Sequence, residues 1–542
     1  MPELMWSGKD KVKFHHHDVP FYLLNQQYHF VAEEGKPQNR EDNILIHGDN
    51  LLALKSLLPE FGGKINCIYI DPPYNTGNEN WVYNDNVNDS RIQKWLGEVV
   101  GKEGEDFSRH DKWLCMMYPR LKLLKQLLAD DGVIFISIDD NEQACLKLIC
   151  DEIFGYGNFV AQFSIKRQGG RQDSKFFAKI TEYIFCYAKN SNQFISGQDI
   201  KENESYPKFD KNKQQFYKTQ LLRKWGNSSL KQDRPNLYYA IPAPDGNDVF
   251  PIIYSDNGEK IDGRWRWKPK KMEKALKDGL IEFIKDKNNN WIAYEKIFQP
   301  ESGGKSKKFS TWLEKLNVSG SAELKDIFGS SVFDYPKPPQ LLELILKMAN
   351  VNKNAIILDS FSGSGTTAHA VLSLNKDGGN RRFIGVEMMD YAETITAERI
   401  RRVINGYGNK PETQNGTGGG FTFYTIGDPL FIAPDTLNPN ASLAAIRQYI
   451  GYTENLQQTW QPENGVSPHA LGYQNGTAYV FYYEQDEVTT LDLPFLQTLQ
   501  ATGLPEKPEC WVIYADKVVL TESQLKTFNI VFKRIPRDIS RF

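Results

Sequence analysis

Apolar positions between residues 43 and 190 switch repeatedly between two spacings. NILIHGD is a short apolar run ending in polar residues, the pattern of a buried strand, and NLLALKSLL then repeats apolar side chains at helical spacing. INCIYIDPPYN is a second strand-like run, stopped by two prolines, and DKWLCMMYPRLKLLKQLLADDG returns to helical spacing with Asp131-Gly132 as its stop. VIFISIDD has the length of a buried strand, and NEQACLKLICDEIFG is helical again. FVAQFSIKR and TEYIFCYAK read as two strands, joined as a hairpin through Gly169-Gly170. Strand–helix alternation of this kind predicts a parallel sheet covered by helices.

The rhythm is lost over 191–330, which is rich in Lys, Asn, Gln, Tyr and Trp, and it returns at 331–410. There a Pro-rich approach, YPKPP, leads into the helix QLLELILKMA, the strand AIILDSF, a helix from GSGTTAHAVL, the strand RFIGVEM and the helix AETITAERIRRVI. The Gly-rich NGTGGG (415–420) reads as a boundary. The expected organisation is an N-terminal extension (1–42), two halves of one α/β unit (43–190 and 331–410), an intervening region (191–330), and a linker with a mixed α/β C-terminal domain (411–542).

Composition refines this picture. The chain has 542 residues, 40% hydrophobic and 13% aromatic, enough for several packed cores. Six scattered cysteines without a CxxC pair fit a reduced, cytoplasmic protein. No membrane span is expected, since no window of about 18 apolar residues occurs. The net charge of −3 argues against a nucleic-acid partner until it is resolved along the chain. Residues 190–320 carry about 24 Lys+Arg against about 17 Asp+Glu, whereas 411–542 is acidic. The run His15-His16-His17 has no second ligand cluster near it in sequence, so no metal is expected.

Two motifs carry chemistry. Asp71-Pro72-Pro73-Tyr74 ends an apolar strand, at the strand end where open α/β sheets bind ligands. The prolines fix φ and remove N–H donors, so carbonyls project outward. The Asp71 carboxylate and a prolyl carbonyl can each accept a hydrogen bond from a planar NH2 group, drawing its lone pair out of conjugation, while Tyr74 can stack on a base. A proline-rich turn closing a strand is the plain structural alternative. The second motif is Asp359-Ser360-Phe361-Ser362-Gly363-Ser364-Gly365-Thr366-Thr367, a strand–turn–helix whose glycines admit close ligand approach. No Lys follows the glycines, which opposes a Walker loop, and Glu387, about 20 residues on at a strand end, stands where ribose hydroxyls are held. A dinucleotide remains an alternative, though the full G-x-G-x-x-G is missing. GGKS at 303–306 is not a Walker motif, because the pattern needs Gly where Gln299 stands.

Together these motifs resemble those of the DNA amino-methyltransferases, and their order, catalytic before cofactor, resembles the β subgroup. DPPYNTGNENWVYND, RHDKWLCMMYPRLKLL and GRWRWKPKK are similar to the Mod (modification) subunits of type III restriction–modification systems. The resemblance covers about 43–410. It implies a doubly wound, Rossmann-like sheet assembled from two sequence-separated halves, with an inserted target-recognition region. It implies S-adenosyl-L-methionine framed by Asp359, Phe361, Ser362, Gly363, Ser364, Gly365, Thr366 and Thr367, with Glu387 on its ribose, Asp49 on its adenine and Lys337 near its methionine part. Asp71, Pro72, Pro73 and Tyr74 would hold the target amine. The implied partners are double-stranded DNA, a second copy in a homodimer, and a restriction or helicase subunit. The C-terminal part is shorter than the family pattern.

The implied reaction is site-specific N6 methylation of an adenine flipped out of the duplex, within a restriction–modification or phage-defence system. No cysteine follows a proline, which opposes a C5-cytosine nucleophile. Cytosine N4, an RNA or protein-glutamine substrate, and a non-catalytic DNA-specificity subunit stay open as alternatives. For DNA contact the candidates are Arg264, Arg266 and Lys268 in GRWRWK, where cations and rings interleave. The competing reading is an ordinary strand with Trp packed inward.

Overall fold

The computed structural model describes residues 3–76, 94, 108–166, 177–178, 180–201, 205–254, 259–299, 305–313, 319–433, 436–462, 467–499 and 504–536. It divides into two compact units, one made of 1–197 and 310–542 and the other of 198–309.

The larger unit is built on a ten-stranded sheet. In chain order its strands are β1 (Tyr22–Val31), β2 (Asn43–His47), β3 (Ile65–Ile70), β4 (Leu128–Ile138), β5 (Phe159–Lys166), β6 (Thr181–Ala188), β7 (Trp312–Leu313), β8 (Ile356–Asp359), β9 (Arg382–Glu387) and β10 (Gly420–Pro429). Their spatial order is β1-β10-β2-β9-β8-β3-β4-β6-β5-β7. Pairing is parallel from β10 through β4, and β1, β5 and β6 add antiparallel pairs. The helices include α1 (Asn50–Phe61), α2 (Arg109–Leu127), α3 (Gln143–Phe154), α4 (Pro339–Met348), α5 (Thr366–Leu374) and α6 (Glu398–Asn405). The fold is thus the expected α/β sheet assembled from sequence-separated halves, with β8 and β9 of the later half seated between β2 and β3 of the earlier one. Ile44, Ile46, Ile68, Ile70, Ile134, Ile136, Leu358, Ile384 and Val386 are buried in one core cluster. Their neighbours Leu45, Cys67, Tyr69, Phe135, Ile357 and Phe383 are buried on the opposite face, which is why the central strands read as unbroken apolar runs rather than alternating ones.

Three features differ from the sequence reading. Asp131-Gly132 is not a free helix stop: α2 ends at Leu127, β4 begins at Leu128, and the β3 register shifts across this stretch. The Gly-rich 415–420 is not a boundary of the sheet, because β10 follows it directly and pairs with both β1 and β2. The glycines serve close approach there, since a Cβ on Gly418 would fall 1.6 Å from the Pro37 carbonyl oxygen. Residues 22–31, read as part of an extension, form the sheet's edge strand. The hairpin of β5 and β6 forms, but the Gly169-Gly170 turn lies outside the described residues. Beyond β10, the helix Leu443–Thr453 packs on α1, and a four-stranded mixed sheet spans 470–534. Among the described residues no helix is long and apolar enough to cross a membrane.

The smaller unit carries an antiparallel four-stranded sheet in the order Ile281–Lys285, Trp291–Phe298, Gln215–Leu221, Lys208–Asp210, with the helix Pro269–Lys277. Its core includes Leu222, Ile241, Trp265, Trp267, Met272 and Ala293.

Candidate active site

Four neighbouring parallel strands, β2, β9, β8 and β3, end at the same edge of the sheet. Glu387 pairs with His47, and Leu358 pairs with Ile68. Asp49, Glu387, the 359–367 turn and Asp71–Tyr74 therefore emerge side by side from strands that are remote in sequence. This is the carboxyl-end crevice where such sheets hold ligands.

The Gly-rich turn is held by its own carboxylates. Asp359 is buried and accepts from the Phe361 N–H (3.0 Å) and the Thr367 hydroxyl (2.5 Å). Glu387 is buried and accepts from the N–H groups of Gly363 (2.8 Å) and Met389 (2.9 Å). Burial pushes each of these carboxyls up to about 7. Gly363 and Gly365 both have positive φ, 51° and 79°, and Gly365 caps α5 in the left-handed region. Ser362, Ser364, Thr366 and Thr367 are buried in the turn, and the Thr366 hydroxyl donates to the Lys337 carbonyl at 3.1 Å. Beneath it the wholly buried Arg399 donates to the Ser364 and Thr366 hydroxyls at 2.8 and 2.7 Å.

Asp49 caps α1 through the Leu51 N–H at 2.7 Å and pairs with Arg120 at 3.1 Å. Asn50 donates to the Ser360 carbonyl at 2.9 Å, and Arg120 donates to Asn50 at 2.5 Å, so the two halves of the sheet are tied through buried side chains. The Ser360 hydroxyl is itself buried without a hydrogen-bond partner among the described residues. Paired carboxylates, glycine backbone and an orphan hydroxyl at one strand edge suit a nucleoside-type cofactor: the carboxylates can accept from ribose hydroxyls, and the glycines leave room for it.

In the catalytic motif the Tyr74 hydroxyl donates to Asp71 Oδ1 at 2.8 Å. Lys337 joins the two motifs: its carbonyl accepts from Thr366, and its ammonium is 2.9 Å from Asp71 Oδ2, donates to the Tyr74 oxygen at 2.9 Å, and lies 5.0 Å from the Tyr74 ring centre. Glu182 of β6 is 3.7 Å from the same ammonium. The Tyr74 phenol is buried, which pushes it well above its ordinary range. The Pro73 carbonyl accepts from the buried Trp113 indole at 2.7 Å, which occupies one of its two lone pairs. Just beyond, the buried Asn75 has φ 59°, donates to the Glu142 carboxylate, and donates to the Arg109 carbonyl at 3.2 Å. His110 Nδ1 lies 2.6 Å from the same carboxylate. Burial holds the Glu142 carboxyl above its ordinary range.

Sequence reasoning passed over Asn50, Arg120, Trp113, Glu142 and Arg399. Asn50 adjoins Asp49 in HGDN and could have been flagged. The other four sit on helices or at a helix start, where they read as ordinary helical positions. Of the recognition candidates, Arg264 needs correction. Arg264 is only 8% exposed, donates to the Ser228 carbonyl at 2.5 Å and also to the Trp265 carbonyl, and so belongs to the core of the smaller unit. Arg266 is ion-paired to Glu295 at 3.2 Å. Lys268 is exposed. Trp265 and Trp267 are both buried, so packing explains the interleaving.

A family profile described as DNA methylase matches residues 65–398, which spans both motifs. The chain belongs to the N6/N4 DNA methylase family. It is 36% identical over 414 residues to the EcoPI Mod subunit of a type III restriction–modification enzyme from Escherichia phage P1, covering 71% of this chain and 63% of that one. It is 33% identical over 520 residues to the StyLTI Mod subunit of Salmonella typhimurium (88% of this chain, 74% of the relative). The type II methyltransferase M.KpnI of Klebsiella pneumoniae is 33% identical over 394 residues (70% and 88%). Among solved structures it is similar to the cytosine-N4-specific PvuII DNA methyltransferase, with TM-score 0.35, 11% identity, and coverage of 68% and 89%.

Proposed function

We propose that this chain transfers a methyl group from S-adenosyl-L-methionine to N6 of an adenine in double-stranded DNA. The observation that carries this reading is the convergence of Asp71–Tyr74 and the Asp359–Thr367 turn on adjacent ends of β3 and β8. Glu387, Asp49 and the glycines of the turn would hold the cofactor, which when bound supplies an activated methyl group.

The residues of the chain do the rest. Asp71 and a prolyl carbonyl accept the two amine N–H groups and expose the nitrogen lone pair, and Asp71 is the nearest acceptor for the proton the amine gives up. Because the edge lies at the end of strands, the base reaches it only by leaving the duplex stack. The amine and the Lys337 ammonium compete for Asp71 Oδ2, so docking of the base displaces Lys337, while the Trp113 and Glu142–Asn75 bonds keep the loop in place.

The basic 198–309 unit is assigned to target recognition, within the 191–330 region expected for it. The Mod relatives support a restriction–modification setting with a restriction subunit as partner, and we propose in addition that the chain forms a homodimer. Incubation with methyl-labelled cofactor and, separately, DNA, RNA and protein tests the reading. Label in DNA alone is expected; label confined to RNA or protein would overturn it.

A further inference from the structure

Arg264, buried though it lies in the most conspicuously basic motif, supports something exposed. The segment 263–265 forms the floor of the loop 223–234. Arg223 bridges to Trp265 and Leu230 bridges to Gly263 as antiparallel partners. The Lys224 N–H donates to the Arg264 carbonyl at 2.8 Å, and Arg264 Nε donates to the Ser228 carbonyl at 2.5 Å. Gly263 is required there, since a Cβ would fall 2.4 Å from the Pro251 carbonyl oxygen. At the far arm Lys231 pairs with Asp262 at 2.8 Å, with its ammonium 3.9 Å from the Tyr238 ring centre. The loop is thus fastened at both arms and from beneath its middle, and Gly226 and Ser228 turn its tip with φ 75° and 56°.

At that tip stands Trp225, 69% exposed. A large ring held in water on an anchored loop forgoes burial that the fold gives Trp265 and Trp267. Its sequence neighbours Asn227, Gln232, Asp233 and Arg234 are exposed and polar. The unit carries 23 Lys+Arg against 16 Asp+Glu in a chain of net charge −3. A lone ring amid positive charge matches the face of a nucleobase flanked by phosphates.

We propose that the 223–234 loop is a DNA-contacting element of the recognition unit, with Trp225 packing on bases at the target and Arg234 beside the phosphate backbone. This rests on the methylase reading above. The test compares wild-type protein, Trp225→Ala and Trp225→Phe for methyl incorporation into sheared, unmethylated genomic DNA, with cofactor affinity measured by calorimetry. Because the ring is exposed, both variants are expected to fold. Trp225→Ala is expected to lower kcat/KM for DNA by about tenfold or more through KM, in line with the value of base–aromatic stacking. Trp225→Phe should recover most of that, with cofactor affinity unchanged in both. A Trp225→Ala enzyme within twofold of wild type would overturn the assignment. Wild-type protein that binds cofactor but labels no DNA would instead overturn the methylase reading, and this proposal with it.

Discussion

Substitution of Asn75 separates backbone strain from hydrogen bonding in the loop that carries the amine-binding motif. Asn75 is fully buried in the left-handed region and donates to both the Glu142 carboxylate and the Arg109 carbonyl. Asn75→Gly removes the donors but suits the backbone, so it loses the bond to a charged acceptor, about 1.5–3 kcal/mol. Asn75→Ala loses the same bond and adds a left-handed penalty of about 1–2 kcal/mol. The expected order of stability is therefore Asn above Gly above Ala, with methyl transfer falling in the same order as Asp71–Tyr74 loses its anchor. Asn75→Asp sets a second carboxyl against Glu142, whose carboxyl burial already pushes up. A carboxyl raised in the folded state incurs no penalty below its unfolded pKa of about 4 and a growing one as pH rises above it. The Asp variant should accordingly be closest to wild type near pH 5.5 and fall behind it toward pH 8. Urea unfolding followed by fluorescence at both pH values, with methyl transfer alongside, gives the comparison. Equal stability of the Gly and Ala variants would refute the backbone part, and an Asp variant indifferent to pH would refute the carboxyl part.

Asp71→Ala should abolish methyl transfer and leave cofactor affinity within about tenfold, or roughly 1.4 kcal/mol, by calorimetry; joint loss would contradict the division of labour between the two motifs. Burial pushes Asp359 and Glu387 up to about 7, so both are largely neutral at pH 6 and ionised at pH 8. Cofactor affinity should tighten across that window, since carboxylates accept more strongly than carboxylic acids, and a flat profile would count against their role. Arg264→Ala leaves the Ser228 and Trp265 carbonyls without their donor, so it should destabilise the 198–309 unit by about 2–4 kcal/mol. Retained stability with lost DNA affinity would restore Arg264 as a direct contact.

The central sheet was readable because its strands are buried on both faces and so appear as continuous apolar runs. The two motifs were readable because proline and glycine constrain the backbone in ways few other sequences do. Nothing in the sequence says which remote strands pair, so the edge formed by β1 and β10 was missed and the glycines before β10 looked like a linker. GRWRWK misled because charge in a sequence carries no depth: Arg264 is turned inward to two carbonyls, whereas the less conspicuous Trp225 is turned out. The Lys337 ammonium meets Asp71 only through the fold, since the two are remote in sequence.

Unmethylated genomic DNA should be incubated with S-adenosyl-L-methionine and either wild-type or Asp71→Ala protein, digested to nucleosides and analysed by mass spectrometry. N6-methyladenine is expected as the sole new nucleoside with wild-type protein, and none with the variant. N4-methylcytosine as the main product would contradict the base assignment, and N6-methyladenine formed equally well by Asp71→Ala would contradict the mechanism.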